Sequence, residues 1–355
     1  ISDTYQNLMN KIYLLTDYKG RFGSKHDDSP YRSGMDQELL RKSFLDTGYE
    51  AIFIPLSKVD PGDGRWKGRQ VLYTSSEDKG LTYKEFIEDV ILALEYAGAE
   101  VIPAYRYLRA NNNKVFMELL RVMLPDEAGG NLKSACFGTL EELALSSQFR
   151  YPVIVKGSCG AMGRNVFLAH SYDELTRIIR HRIVTPVTLQ FRLKEHLRKI
   201  RHKGYKRDSF YRGEFVVQDY IPGLKNDWKI YYFGDRAFIF NRPVFPEREF
   251  RASGGGYDNY SYGLEAHAPD GILDFGWKIF RALDVPCVSM DVAWDGERFY
   301  LLEFQCVYFG TAGILRKYSK DLFLRNNGRW QTVSNEGSIE KIYVYGIAWY
   351  LKEEC

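Results

Sequence analysis

The stretch Cys287–Gln305, CVSMDVAWDGERFYLLEFQ, decides how the rest of the chain is read. Val288–Trp294 and Phe299–Phe304 are apolar-rich runs of strand length, and Asp295-Gly296 between them is a strong hairpin signal. Side chains alternate along a strand, so Glu303 and Gln305 share a face. If pairing turns Asp291 to that side, three oxygen donors converge. Such a hard-ligand set suits Mg²⁺, an ion usually shared with substrate phosphates. A surface hairpin carrying solvated acids is the competing reading, and the hairpin alone does not choose between them.

A second anchor lies upstream in Tyr151–Leu168, YPVIVKGSCGAMGRNVFL. A β-branched strand ends at Lys156, a loop with Gly157, Gly160 and Gly163 follows, and another strand starts near Asn165. Glycines let backbone N–H groups approach phosphate oxygens with no Cβ in the way, and the lysine adds a point charge. The order is informative: a Walker loop places its lysine after the glycines and opens a helix, and a protein kinase places its glycines before the lysine. Here the lysine comes first and both flanks are strands. A structural hairpin with a flexible tip is the alternative.

Outward from these anchors, Lys11–Thr16, Tyr49–Leu56 and Ala99–Pro103 read as strands, with helical spacing over Asp36–Thr47 and Tyr83–Tyr96. Strands alternating with helices predict a parallel α/β domain over residues 1–108. Asp17, Arg21, Lys25 and Arg32 fall in its loops, where either ligand contact or plain solvation would account for them. Asn111-Asn-Asn-Lys114 predicts the cap of a helix running to Leu124. From Arg177 to Arg212 the chain is markedly basic, which reads first as a solvated helix face and second as a site for an anionic substrate. Glu214–Gly223 is a strand entering a turn, followed by a hairpin over Asn226–Pro243. Arg251–Tyr260 is a glycine-rich loop suited to closing over a ligand. Asp274-Phe275-Gly276 spells a kinase metal-binding tripeptide but opens a helix with no HRD-type loop ahead of it, so it reads as chance. Ile339–Glu353 predicts an aromatic-rich amphipathic helix.

Length and composition set bounds. The 355 residues suffice for two or three domains, and 45% apolar with 27% charged residues is the profile of a globular protein. A net charge of +3 is too small to argue for nucleic acid, and no apolar run reaches the length of a membrane span. The opening residues, ISDTYQ, lack the basic and apolar regions of a signal peptide. Five scattered cysteines, with no CxxC pair, point to a reducing cytoplasm.

In this order the pieces resemble the ATP-grasp superfamily over about Ala110–Gly313, in particular its ribosomal-protein glutamate ligase and D-alanine:D-alanine ligase branch. The resemblance implies an ATP-grasp fold, with residues 109–213 and 214–355 as its central and C-terminal subdomains, preceded by a Rossmann-like domain. It implies that Lys156 and Lys114 contact ATP phosphates under the loop of Gly157, Gly160 and Gly163. Gln218, Asp219, Tyr220 and Ile221 would form the hinge that reads adenine, with Gln218 standing where Glu is commoner. Asp227 would lie near ribose or phosphates, with Lys229 where Arg is usual. Arg242 would meet the transferring phosphoryl group, and Ser253 would belong to the closing loop. Asp291, Glu303 and Gln305 would hold Mg²⁺, or Mn²⁺ as the alternative ion. Gln305 departs from the usual Asn, an amide one methylene further out. The implied activity is carboxylate–amine ligation through an acyl phosphate, on small-molecule substrates or an acidic or sugar-linked acceptor, in a homodimer. A kinase on the same fold, or a nucleotide-binding protein without turnover, is the alternative.

Overall fold

The computed structural model describes residues 10–28, 31–78, 80–146, 149–160, 163, 165–185, 187–244, 250, 268–315, 321–335 and 337–353. Within them lie a four-stranded parallel sheet, antiparallel sheets of four and six strands and a two-stranded hairpin, with helices on their faces. The fold is mixed α/β, as the strand and helix alternation predicts.

The first sheet runs Tyr49–Pro55, Asn10–Thr16, Gln70–Tyr73, Glu100–Ile102, all parallel. Helix Gln37–Asp46 makes one crossover, capped by Asp36, whose carboxylate accepts from the Glu38 and Leu39 amides. Thr82–Tyr96 makes the other. The chain leaves Asn10–Thr16 toward one edge of the sheet and Gln70–Tyr73 toward the other, which creates a switch point at the carboxyl ends of these two central strands. Gln70–Tyr73 escaped the sequence reading. It is four residues long, and Val71, Leu72 and Tyr73 are all buried, so it offers no alternation to detect.

The second sheet is antiparallel, in the order Ser134–Thr139, Arg212–Asp219, Val153–Gly157, Val166–Ala169. The basic segment lies between Val166–Ala169 and Arg212–Asp219 and includes helix Leu189–Arg201. The third sheet runs Phe299–Gln305, Cys287–Trp294, Asn226–Phe233, Arg236–Pro243, Asp321–Asn326, Arg329–Ser334, again antiparallel. Asp295 turns its first hairpin by accepting from the Glu297 and Arg298 amides at 2.8 and 2.7 Å. The outer hairpin was not anticipated, although Asn327-Gly328, with φ of 48° and 77°, carries the two-residue turn signal that would have found it. After the first hairpin, Ala312–Leu315 forms a short helix.

Helix Ile272–Leu283 covers one face of the third sheet through Ile279, Phe280 and Leu283, each buried. Burying side chains of this size stabilises the fold by about 1.5–3 kcal/mol each. Helix Ile339–Glu353 packs Ile342, Ile347 and Leu351 into a core shared with Ile12, Leu14 and Phe44 of the first layer and Phe233 and Phe238 of the third sheet. Buried Glu340 on that helix accepts from the Asp36 amide at 2.9 Å and pairs with Lys25 at 3.0 Å. One core and one buried ion pair thus fix the parallel layer against the third sheet. Among the described residues no helix is long and apolar enough to cross a membrane.

Candidate active site

Register decides the first question. Asp291 stands directly opposite Glu303, and Ser289 opposite Gln305, so the three oxygen-bearing side chains do share one face of the third sheet. A bulge after Asp291 shifts the ladder, leaving Leu302 without a partner in the pairing. The Leu302 carbonyl instead accepts from Lys156 Nζ at 3.3 Å, across the gap between the second and third sheets.

That gap is a cleft of about 650 Å³. The second sheet contributes Ile154, Lys156 and Val166, the turn after it Gln218–Ile221 and Leu224, and the third sheet Asp227, Asp291, Leu302 and Glu303. Its walls are therefore apolar at one part and strongly charged at another, the combination a base joined to a phosphate chain requires. Phe250 also lines it. Ile221 is buried against Leu132 and Ala293, which anchors the turn.

Lys156 is 8% exposed. Burial pulls the pKa of its ammonium down, while Glu118 and Glu303 draw it back up. Lys114 approaches from its own helix, Lys114–Arg121, whose cap is Asn113. Its ammonium donates to the Gly160 carbonyl, and its backbone N–H donates to the Ser158 carbonyl at 2.8 Å, so Lys114 holds the loop after Lys156. Gly160 and Gly163 have φ of 121° and 69°, values that favour glycine.

Four charges meet on the third sheet. Arg242 makes a bidentate pair with Asp227 at 2.6 and 2.8 Å and reaches Asp291 at 2.8 Å. Lys229 takes the other Asp291 oxygen at 2.8 Å. Burial pushes the Asp227 carboxyl up to about 6, against the pull of Arg242. Burial also opposes ionisation of Asp291, but Arg242 and Lys229 outweigh it and hold that carboxyl well below the usual range. The cluster, two acids and two bases, is neutral as a whole. Glu303 differs: among the described residues it has no hydrogen-bond partner and faces Asp291 and the cleft. Hard oxygens on Asp291, Glu303 and Gln305 are the donor types that Mg²⁺ takes, and the set fits once Arg242 or Lys229 gives up its Asp291 oxygen. Among the described residues no group of three His, Cys, Asp or Glu side chains stands ready for a metal, so the third protein ligand would have to be the Gln305 amide.

Of the residues singled out by sequence, Lys156, Gln218, Asp219, Tyr220, Ile221, Asp227, Asp291 and Glu303 line one cleft. Lys114, Gly157 and Gly160 border it through the loop contacts, and Lys229 and Arg242 through Asp227 and Asp291. Gln305 is on the right face without lining the cleft itself. Ser253 lies outside the described residues. The sequence reading missed Glu118 and Arg121, both fully buried. Glu118 accepts from Arg121 and, at 3.2 Å, from Gln218 Nε2, while Arg121 also ties down the Gly129 and Leu132 carbonyls. Their signal is a glutamate and an arginine three apart on a helix, on a buried side they share with Lys114 and Met117. On sequence that pattern is indistinguishable from a surface ion pair.

No protein-family model matches this chain, and no curated protein matches it in sequence. Solved structures do. D-cycloserine synthetase DcsG is similar with a TM-score of 0.52 at 12% identity, covering 97% of this chain and 99% of its own. A RimK domain ATP-grasp protein from Sphaerobacter thermophilus is similar with a TM-score of 0.50 at 15% identity, covering 95% and 98%.

Proposed function

Starting from an ATP-grasp fold, which these likenesses establish for the chain, we propose that the protein is an ATP-dependent carboxylate–amine ligase. A carboxylate oxygen attacks the γ-phosphorus of ATP, and ADP leaves with the bonding pair. The amine of a second substrate then attacks the acyl carbon, phosphate leaves, and the amine nitrogen loses a proton to give the amide. The observation that carries the reading is that the Lys156 strand end and the Asp291–Glu303 pair face one cleft from two different sheets. The synthetase named among the similar structures supports the same reaction class.

The residues divide the work. Gln218–Ile221 offer backbone groups to adenine, with Ile154, Val166, Leu224 and Leu302 as its apolar bed. Lys156, Lys114 and the amides of Gly160 and Gly163 neutralise and orient the phosphates, while the Gly157 amide donates to the Asn165 carbonyl at 2.9 Å and fixes the base of the loop. Arg242 and Lys229 hold Asp291 ionised before substrate arrives and are placed to transfer their charge to phosphate oxygens. Asp291, Glu303 and Gln305 would hold Mg²⁺ or Mn²⁺, which when bound supplies further charge neutralisation on the phosphates. No side-chain nucleophile is required, since positioning and charge neutralisation account for the chemistry. An acyl phosphate hydrolyses in water, so the ligation requires a cleft from which water is kept out.

The test is ADP and phosphate release from carboxylates crossed with amines in the presence of Mg²⁺, with amide product identified by mass. Lys156→Ala and Glu303→Ala are each expected to abolish ADP release. Wild-type-like turnover in either variant removes that residue from the mechanism. Phosphate retained on the acceptor, with no amide, would make the protein a kinase.

A further inference from the structure

Helix Leu189–Arg201 carries its apolar residues outward. Leu189, Leu193, Leu197 and Ile200 are 73%, 57%, 64% and 71% exposed, although ordinary packing would bury them. At about 100° per residue they lie at roughly 0°, 40°, 80° and 20° around the axis, a single stripe. Lys194 and Arg201 fall at roughly 140° and 120°, and Arg192 and Lys199 at roughly 300° and 280°, so cations border the stripe on both sides. The opposite side is committed to the protein. Phe191 packs edge-on against Phe210, and buried Glu195 accepts from Arg198, Tyr205 Oη and the Asp208 amide at 2.7, 2.7 and 3.1 Å. Apart from Arg198, these partners belong to the segment that follows the helix, and they cover the side opposite the leucines. Further exposed cations continue the charge beyond the helix: Lys203, Lys206 and Arg207 after it, Arg180 and Arg182 before it.

This charge distribution selects the occupant. A second copy of the same face would set cations against cations along both borders. A single acidic helix would need its acids in register on both flanks, and it would leave the outlying cations unanswered. A bilayer containing anionic lipid meets every requirement at once: apolar chains beneath the stripe and negative headgroups on all sides, with no register to match. We propose that the face formed by Leu189, Leu193, Leu197 and Ile200 docks this protein peripherally on an anionic lipid surface. The sequence reading expected no membrane partner because it sought a spanning segment, and an interfacial helix of this length gives no such signal. The proposal is independent of the ligase reading, because the stripe residues do not line the nucleotide cleft.

The test is co-sedimentation of the full chain with vesicles of phosphatidylcholine alone or with about a third phosphatidylserine, at about 0.15 M salt. Binding is expected only to the anionic vesicles, weakening as salt rises. Leu193→Asp with Leu197→Asp is expected to reduce the bound fraction at least about tenfold, with ADP release and thermal midpoint unchanged because both positions are exposed. Lys194→Glu with Lys199→Glu should abolish the phosphatidylserine dependence. Equal binding to both vesicle types, or none to either, overturns the proposal. So does a dimer in sedimentation that the leucine double variant dissociates, or saturable binding of polyglutamate without vesicle binding.

Discussion

Replacing Arg242 by methionine removes the charge from the Asp227–Asp291 cluster while retaining much of its apolar bulk. Both carboxylates are buried, at 5% and 9% exposure, and only Lys229 would remain beside them. Breaking a buried ion pair by deleting one partner costs about 3–5 kcal/mol. The structure further predicts how that cost varies with pH. A carboxyl whose folded pKa is raised binds its proton more tightly when folded. Its contribution therefore favours folding at low pH and is lost as pH rises from the unfolded value of 3.8 to the folded value of about 6. In the wild type this limits the Asp227 penalty at pH 7.5 to about 3 kcal/mol, at about 1.36 kcal/mol per pKa unit. Without Arg242 the group must stay protonated to remain buried, and the penalty at pH 7.5 rises to about 5 kcal/mol. At pH 5 the penalty is about 1.6 kcal/mol with or without Arg242, because the proton is mostly bound in both. About 2 kcal/mol of the Arg242→Met loss should therefore vanish between pH 7.5 and pH 5. An unfolding entropy of roughly 2.1 cal/mol/K per residue makes the full loss a Tm drop of about 4–7 °C at pH 7.5 and about 3 °C less at pH 5. Thermal unfolding followed by near-UV circular dichroism measures it. Arg242→Met with Asp227→Asn should show a smaller pH dependence, the remainder coming from Asp291, which keeps only Lys229 against its burial. An equal Tm drop at pH 5 and pH 7.5 in the single variant would refute the argument.

Other outcomes follow from the same geometry. Cys159 is exposed in the loop that Lys114 holds, whereas Cys287 and Cys306 are buried, which pushes their thiols well above the ordinary value. Brief alkylation followed by peptide mapping should mark Cys159 and spare the buried pair, and ATP should slow the Cys159 reaction severalfold. A Cβ on Gly346 would stand 2.9 Å from the Pro286 carbonyl, 3.0 Å from Cys287 Sγ and 3.2 Å from Phe233 Cα. Gly346→Ala should therefore lower stability by about 1–3 kcal/mol in a thermal melt despite alanine's better helix propensity. A neutral or stabilising result would show that the C-terminal helix has room to shift.

What the sequence determined alone was whatever depends on neighbours along the chain. Alternation put Glu303 and Gln305 on one face, Asp295-Gly296 turned the hairpin, and a lysine followed by glycines between two strands separated this loop from a Walker loop. Asn113 caps a helix where the Asn111–Lys114 run predicts one, since a cap is a contact over two or three residues. Tertiary structure decided what depends on register and on contacts between distant segments. Only the pairing shows that Asp291 stands opposite Glu303, because a slip of one residue would turn it to the other face. Only the packing of the second sheet across from the third brings Lys156 to the Leu302 carbonyl, 146 residues away. Likewise only the folded chain shows that Arg242 pairs with both Asp227 and Asp291, and that Glu118, unremarkable in sequence, is fully buried behind Gln218. Periodicity says which side a residue faces on its own element. What meets it there is fixed by long-range burial, and that is a property of the folded chain.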